Sequence, residues 1–126
     1  MKILCVHGSP RHIAESMSPE ISNQEILEMI NGIKESFILC GHFHTPTNRI
    51  INNEYIFNPG SVSGPRDKDT RASYAIPEIL DKDNIKFTVK RVPYDITEHL
   101  KIAKAHKFPH LEEYGEKLRL ATEPIV

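Results

Sequence analysis

Three of the chain's seven histidines stand where short apolar runs give way to glycine. His7 closes the run Lys2–Val6 and is followed directly by Gly8. His42 and His44 lie just past Phe37-Ile38-Leu39-Cys40, in Gly41-His42-Phe43-His44-Thr45-Pro46. In extended backbone, residues two apart project to one side, so His42 and His44 are expected to converge while Phe43 points away. Gly41 lets the chain leave its strand at an angle that a larger residue resists. Imidazole suits zinc, manganese, iron or nickel, and three such ligands from two neighbouring loops make a metal site. The competing reading is that each histidine is a solvated or hydrogen-bonded residue at a strand end.

Such a site needs strands that end side by side. Residues 2–7 and 37–40 read as short buried strands, and the carboxyl ends of strands in α/β sheets are where ligand sites collect. Ser22 with Glu25 three residues on is a capping box. Ile26, Leu27, Ile30 and Ile33 then follow near helical spacing, up to a stop at Gly32 or Lys34. Residues 48–52 and 54–58 flank Asn52-Asn53, and 72–80 and 85–92 flank Asp81–Asn84; both pairs read as hairpins. Asp95 and Glu98 open a helix to about Lys107, and Pro109 suits the first turn of a last helix that stops before Pro124. The predicted order is β-α-β-β-β-β-β-α-α, a mixed α/β unit over 1–126. Tyr55, Phe57, Tyr74 and Phe87 alternate through the strands and read as core.

Composition narrows the function classes. Sixteen basic against seventeen acidic residues leave a net charge of −1, so the basic footprint of a nucleic-acid binder is missing. The apolar runs are too short to span a membrane, and the amino terminus has no signal-peptide pattern. Cys5 and Cys40 form no Cys-x-x-Cys pair and read as buried, reduced thiols of a cytoplasmic protein.

The motifs Val6-His7-Gly8-Ser9-Pro10, Cys40–Pro46, Phe57-Asn58-Pro59-Gly60-Ser61-Val62 and Ala72-Ser73-Tyr74-Ala75-Ile76 resemble those of the calcineurin-like metallophosphoesterases. The likeness is to the small bacterial and archaeal phosphodiesterases of that superfamily. It implies half of a four-layer α-β-β-α sandwich with a two-metal centre between its sheets. It also implies hydrolysis of phosphate mono- or diesters by metal-bound hydroxide, using manganese, nickel, iron or zinc. By this resemblance His7 and His42 ligate one ion, His44 ligates the other, and Asn58 supports the ligand shell. An Asx turn within Asn-Pro-Gly explains Asn58 equally well.

The family's Asp-x-His, Gly-Asp and Gly-Asn-His motifs are not found here. No aspartate precedes Asp67, and the sequence has no Asn-His dipeptide. The resemblance therefore covers a carboxy-terminal half. Three neutral ligands are expected to hold at most one ion, because two adjacent dications need carboxylates to balance them. Three readings follow: a truncated or split phosphoesterase completed by an amino-terminal chain, a non-catalytic partner-binding or self-associating module, or a single-ion three-histidine hydrolase. An uncovered sheet face carrying Leu4, Val6, Ile38 and Cys40, or their alternates, is expected to be buried by a second copy or by that complementary chain. Arg11 and Arg66 are candidates for a substrate phosphate, against the plainer reading of loop charges. Arg66 and Asp67 are also placed to pair or clamp a turn. His99 and His106, seven apart on one helical face, read as an amphipathic face rather than a second metal cluster.

Overall fold

The computed structural model describes residues 2–122. Its elements are β1 (Ile3–Cys5), α1 (Asn23–Met29), β2 (Phe37–Leu39), β3 (Thr47–Ile51), β4 (Glu54–Asn58), β5 (Ala72–Ile79), β6 (Ile85–Val92), α2 (Ile96–Ala105) and α3 (Leu111–Leu120). The expected order is thus observed. One sheet has the strand order β1-β2-β4-β3, and β5-β6 form a separate two-stranded ribbon.

Strands β1, β2 and β4 run parallel, and their register aligns Leu4 with Ile38 and Ile38 with Ile56. Strand alternation sends these three side chains to one face. There Ile38, Cys40 and Ile56 meet Ile26, Met29 and Ile30 of the α1 segment together with Met17, and Leu4 and Val6 pack against this cluster. The alternates form the opposite face, where Phe37 and Phe57 pack with Ile85 of β6, flanked by Ile3, Leu39, Tyr55 and Phe87. Phe57 stacks on Phe87 with ring centroids 4.4 Å apart, and Phe37 on Tyr55 at 4.7 Å. So α1 covers the face of Leu4, Val6, Ile38 and Cys40, while the β5-β6 ribbon lies on their alternates.

Local chemistry explains the ends of the elements. The Ser22 hydroxyl accepts from the Glu25 amide and the Glu25 carboxylate accepts from the Ser22 amide, each at 3.2 Å. Helix α1 ends at Ile30, earlier than the spacing predicts, and Gly32 takes a left-handed φ of 83° in the turn that follows. The β3-β4 turn puts Asn52 and Asn53 at φ 51° and 67°, the left-handed pair that a two-residue hairpin requires. Asp95 caps α2 by accepting from the Glu98 amide at 3.0 Å. Gly115 lets α3 approach α2, since a Cβ there would lie 3.1 Å from the Leu100 side chain. Arg91 pairs with Asp67, and the Lys68 amide donates to the Ala121 carbonyl, joining β6, the 67–69 loop and the end of α3.

Several expectations need correction. Cys5 is exposed, because its side of the edge strand β1 lies beyond the ribbon's cover; only Cys40 is buried. Tyr74 is 47% exposed on the ribbon, which pairs with no third strand among the described residues. Pro109 precedes α3, whose cap is His110 at φ 51°. Asp67 is taken by Arg91. His99 bonds to the Tyr114 hydroxyl at 2.9 Å, tying α2 to α3. Pro124 lies outside the described residues. Among the described residues, no helix is long and apolar enough to cross a membrane.

The core assignment has a direct check. Ile56 is fully buried at the centre of the sheet, and Ile50 on the partner strand is 60% exposed. Ile56→Ala should cost about 2–5 kcal/mol in denaturant unfolding, and Ile50→Ala within about 0.5 kcal/mol of nothing.

Candidate metal centre

Because β1, β2 and β4 are parallel, their carboxyl ends deliver His7, Gly41–His44 and Asn58–Gly60 to one edge of the sheet. The ladder runs past the strands: the Val6 amide donates to the Leu39 carbonyl at 2.9 Å and the Gly41 amide to the His7 carbonyl at 2.8 Å. These bonds fix His7 beside the following loop. His42 Nδ1 then stands 3.3 Å from His7 Nε2, with the rings at 72°. Two imidazoles sharing one ion at ordinary bond lengths have nitrogens about 3–3.4 Å apart, so this spacing suits chelation. It also suits a hydrogen bond between neutral rings.

His42 reaches this position through a φ of 62°, in the left-handed region. Such a conformation costs a non-glycine residue about 1–3 kcal/mol and must be held from outside. Asn58 holds it. The Asn58 side chain is fully buried, and its Nδ2 donates to the Gly41 carbonyl at 2.9 Å and to the Phe43 carbonyl at 2.7 Å. Its Oδ1 accepts from the Gly60 amide at 2.8 Å. Every strong bonding position of the amide except one acceptor lone pair is used, and both donors grip the backbone on either side of His42.

His44 is oriented separately. Its Nδ1 lies 2.7 Å from the Gly64 carbonyl, which only accepts, so Nδ1 carries the proton and Nε2 keeps its lone pair. Ser61 shapes that turn by accepting from the Gly64 amide at 3.0 Å and the Ser63 amide at 3.3 Å. The Arg66 amide donates to the His44 carbonyl at 3.3 Å. The extended-backbone rule that pairs His42 with His44 does not apply, because His42 is left-handed; the partner of His42 is His7. Among the described residues, no three His, Cys, Asp or Glu side chains are grouped to hold a metal ion. The donors at hand are neutral nitrogens, two of them at chelating distance. That set fits one divalent ion of intermediate softness and offers no negative charge for a second.

Arg11 is exposed and doubly bonded to Glu15, with Nε 2.8 Å from Oε2 and an Nη 2.6 Å from Oε1. The Ser9 hydroxyl donates to the same carboxylate and accepts from the Arg11 and His12 amides. These bonds, Arg11 first and Ser9 next, pull the Glu15 carboxyl down to about 2. A substrate phosphate at Arg11 would compete with Glu15. Gly8 begins this loop under tight constraint, since a Cβ there would lie 2.3 Å from the Ile13 carbonyl oxygen. The latch of Ser9, Arg11 and Glu15 escapes the motif reading, because it forms in a loop, where no helical i,i+4 spacing announces it.

Residues 1–82 match the calcineurin-like phosphoesterase superfamily domain. The chain belongs to that superfamily. An uncharacterized protein of Methanocaldococcus jannaschii is 29% identical over 139 residues, which cover 94% of this chain and 51% of the relative. A metallophosphoesterase structure from Sphaerobacter thermophilus superposes with a TM-score of 0.77 at 26% identity, over 94% of this chain and 55% of that one. A hypothetical protein from Pyrococcus horikoshii shares the fold at 19% identity and a TM-score of 0.77, over 97% of this chain and 47% of that one. The chain thus spans about half the length of the relatives it matches, and its mixed α/β fold is theirs.

Two outcomes follow for this phosphoesterase fold. Asn58→Ala removes the donor from two part-buried carbonyls and should cost about 1–3 kcal/mol for each bond that water cannot replace, read as a lowered melting temperature. It should also move the His42 ring signals by NMR. Separately, the folded carboxyl of Glu15 is lowered from 4.5 to about 2, so its contribution is complete above pH 4.5 and is lost as pH falls towards 2. Amide exchange in residues 9–15 should quicken across that window, and Glu15→Gln should abolish the dependence.

Proposed function

We propose that this chain is the carboxy-terminal, histidine-bearing half of a divalent-metal phosphoesterase for phosphate mono- or diesters. The observation that carries the reading is the His7–His42 pair at 3.3 Å, built on parallel strand ends of a phosphoesterase fold. When bound, a manganese, nickel, iron or zinc ion supplies positive charge for a phosphoryl oxygen and makes nearby water more acidic. His7 Nε2 and His42 Nδ1 would hold that ion, and His44, on the loop that leaves the same edge of the sheet, is the candidate for a further ligand. Asn58 fixes the loop that carries His42 and His44. Arg66, following the Gly64 turn, and Arg11, which is bonded to Glu15, are the candidates to attract the phosphate.

One ion on neutral ligands is insufficient for the two-ion chemistry of the family, so carboxylates must come from elsewhere. Strand β1 is at the sheet edge and leads directly into His7. A complementary chain adding a parallel strand there would bring its own carboxyl end beside the histidines. A depression of about 290 Å³ lined by Cys5, His7, Leu39, Pro59, Ala75 and Phe87 adjoins this edge and suits apolar side chains of such a partner. The same edge supports a second reading, a non-catalytic module that pairs with another chain or with its own copy. We place the protein in the cytoplasm, where the free thiols of Cys5 and Cys40 stay reduced.

Nickel or manganese titration should show a single weak site that His7→Ala and His42→Ala each remove. The chain alone should give negligible turnover of a chromogenic phosphodiester. Turnover should appear on adding a chain that carries the Asp-x-His, Gly-Asp and Gly-Asn-His motifs, and should vanish with His42→Ala. Robust turnover by the chain alone would establish the single-ion hydrolase instead. Tight assembly without turnover would establish the non-catalytic module.

A further inference from the structure

The parallel strands have a second end. Their amino termini gather Lys2 before β1, Lys34-Glu35-Ser36 before β2 and Asn53 before β4. The turn of the β5-β6 ribbon, Lys82-Asp83-Asn84, closes the opposite side, with the Tyr55 hydroxyl 3.5 Å from the Asp83 carbonyl. Between them lies a cleft of about 610 Å³ whose apolar wall is the stacked pair Phe37 and Tyr55. His7 lies five positions after Lys2, roughly 16 Å of extended chain, so this cleft is distinct from the histidine edge.

Its charge is unbalanced. Three ammonium groups, of Lys2, Lys34 and Lys82, face two carboxylates, of Glu35 and Asp83. Lys82 pairs with Asp83 at 3.4 Å, whereas Lys2 and Lys34 make no ion pair among the described residues. They precede two adjacent parallel strands, Lys2 one residue before Ile3 and Lys34 three residues before Phe37, the register partner of Ile3. Two unpaired lysines on neighbouring strand starts form a point-charge site for an anion, and ammonium groups are common phosphate binders. Tyr55, half-buried and backed by the buried ring of Phe37, offers a flat apolar surface beside them, and Ser36 and Asn53 add donors and acceptors at the rim. Small-molecule sites combine these features: a concave aromatic wall with a few convergent polar groups.

We propose that this cleft is a second binding site, separate from the histidines, for a phosphate-bearing ligand with a flat ring, of the nucleoside monophosphate class. The phosphate meets Lys2 and Lys34, and the ring lies against Tyr55. The inference does not depend on the metal reading, since no residue is shared between the two ends.

The test is a titration of the full chain with adenosine monophosphate in chelator-treated buffer, followed by amide NMR and calorimetry. Saturable binding is expected, with signal changes at 34–37, 53–55 and 82–84. Inorganic phosphate alone should bind about tenfold more weakly, and Lys34→Ala or Lys2→Ala should weaken the nucleotide by about tenfold, the loss of one charged hydrogen bond. Both lysines are exposed, so the variants should keep the wild-type melting temperature. The proposal is overturned by an absence of saturable binding, by binding indifferent to both lysines, by phosphate binding as tightly as the nucleotide, or by signal changes confined to 41–44.

Discussion

The amide of Asn58 holds the carbonyls of Gly41 and Phe43, and the histidine edge depends on that grip. Without it, the residue between them would relax from its left-handed conformation and carry its ring away from His7. A buried amide can do this because it brings two donors in one plane and finds no water to compete with them. Its remaining bond, accepted from Gly60, turns the chain at the end of β4 and so ties the position of Asn58 itself to the sheet. The sheet, in turn, is pinned on one face by α1 and on the other by the Phe57–Phe87 stack. Site and core are therefore one mechanical system, with strain at His42 offset by packing several residues away.

Much of this is legible in the residues. The Ser22/Glu25 box, the Asn52-Asn53 turn and the two hairpins are encoded within a few positions, and each appears where its local chemistry requires. The strand–glycine–histidine pattern likewise predicts which histidines share an edge. Local rules cannot supply the sign of φ at residue 42, because nothing in Gly-His-Phe-His asks for it. The conformation is imposed by Asn58, sixteen residues later, and it exchanges the expected partner His44 for His7. Cys5 illustrates the same limit: an apolar run predicts burial, but burial depends on which strand ends up outermost.

Electrostatics divide the molecule more sharply than its net charge of −1 suggests. The carboxyl ends of the parallel strands carry imidazoles, with the nearby charges of Arg11 and Glu15 cancelling each other in a latch. The amino ends carry Lys2 and Lys34, which make no ion pair among the described residues. Strands only three residues long in β1 and β2 thus separate the histidine edge from the lysine-bearing edge.

The strand order also sets how the molecule comes together. The two ribbons, β3-β4 and β5-β6, join residues close in sequence, so their loops close with little entropy loss. Strand β1 must find β2 across a gap of 34 residues, from Ile3 to Phe37, and it gains only three residues of parallel pairing for doing so. Long-range parallel contacts of this kind are slow to form, and contacts that form late contribute mainly to the unfolding rate. Substitutions at Leu4 would then speed unfolding more than they slow folding, giving low φ-values there and higher ones in the ribbons. His7 rides on that late strand. The same long sequence separation therefore governs the encounter of His7 with His42, which topology expects to form after the local hairpins.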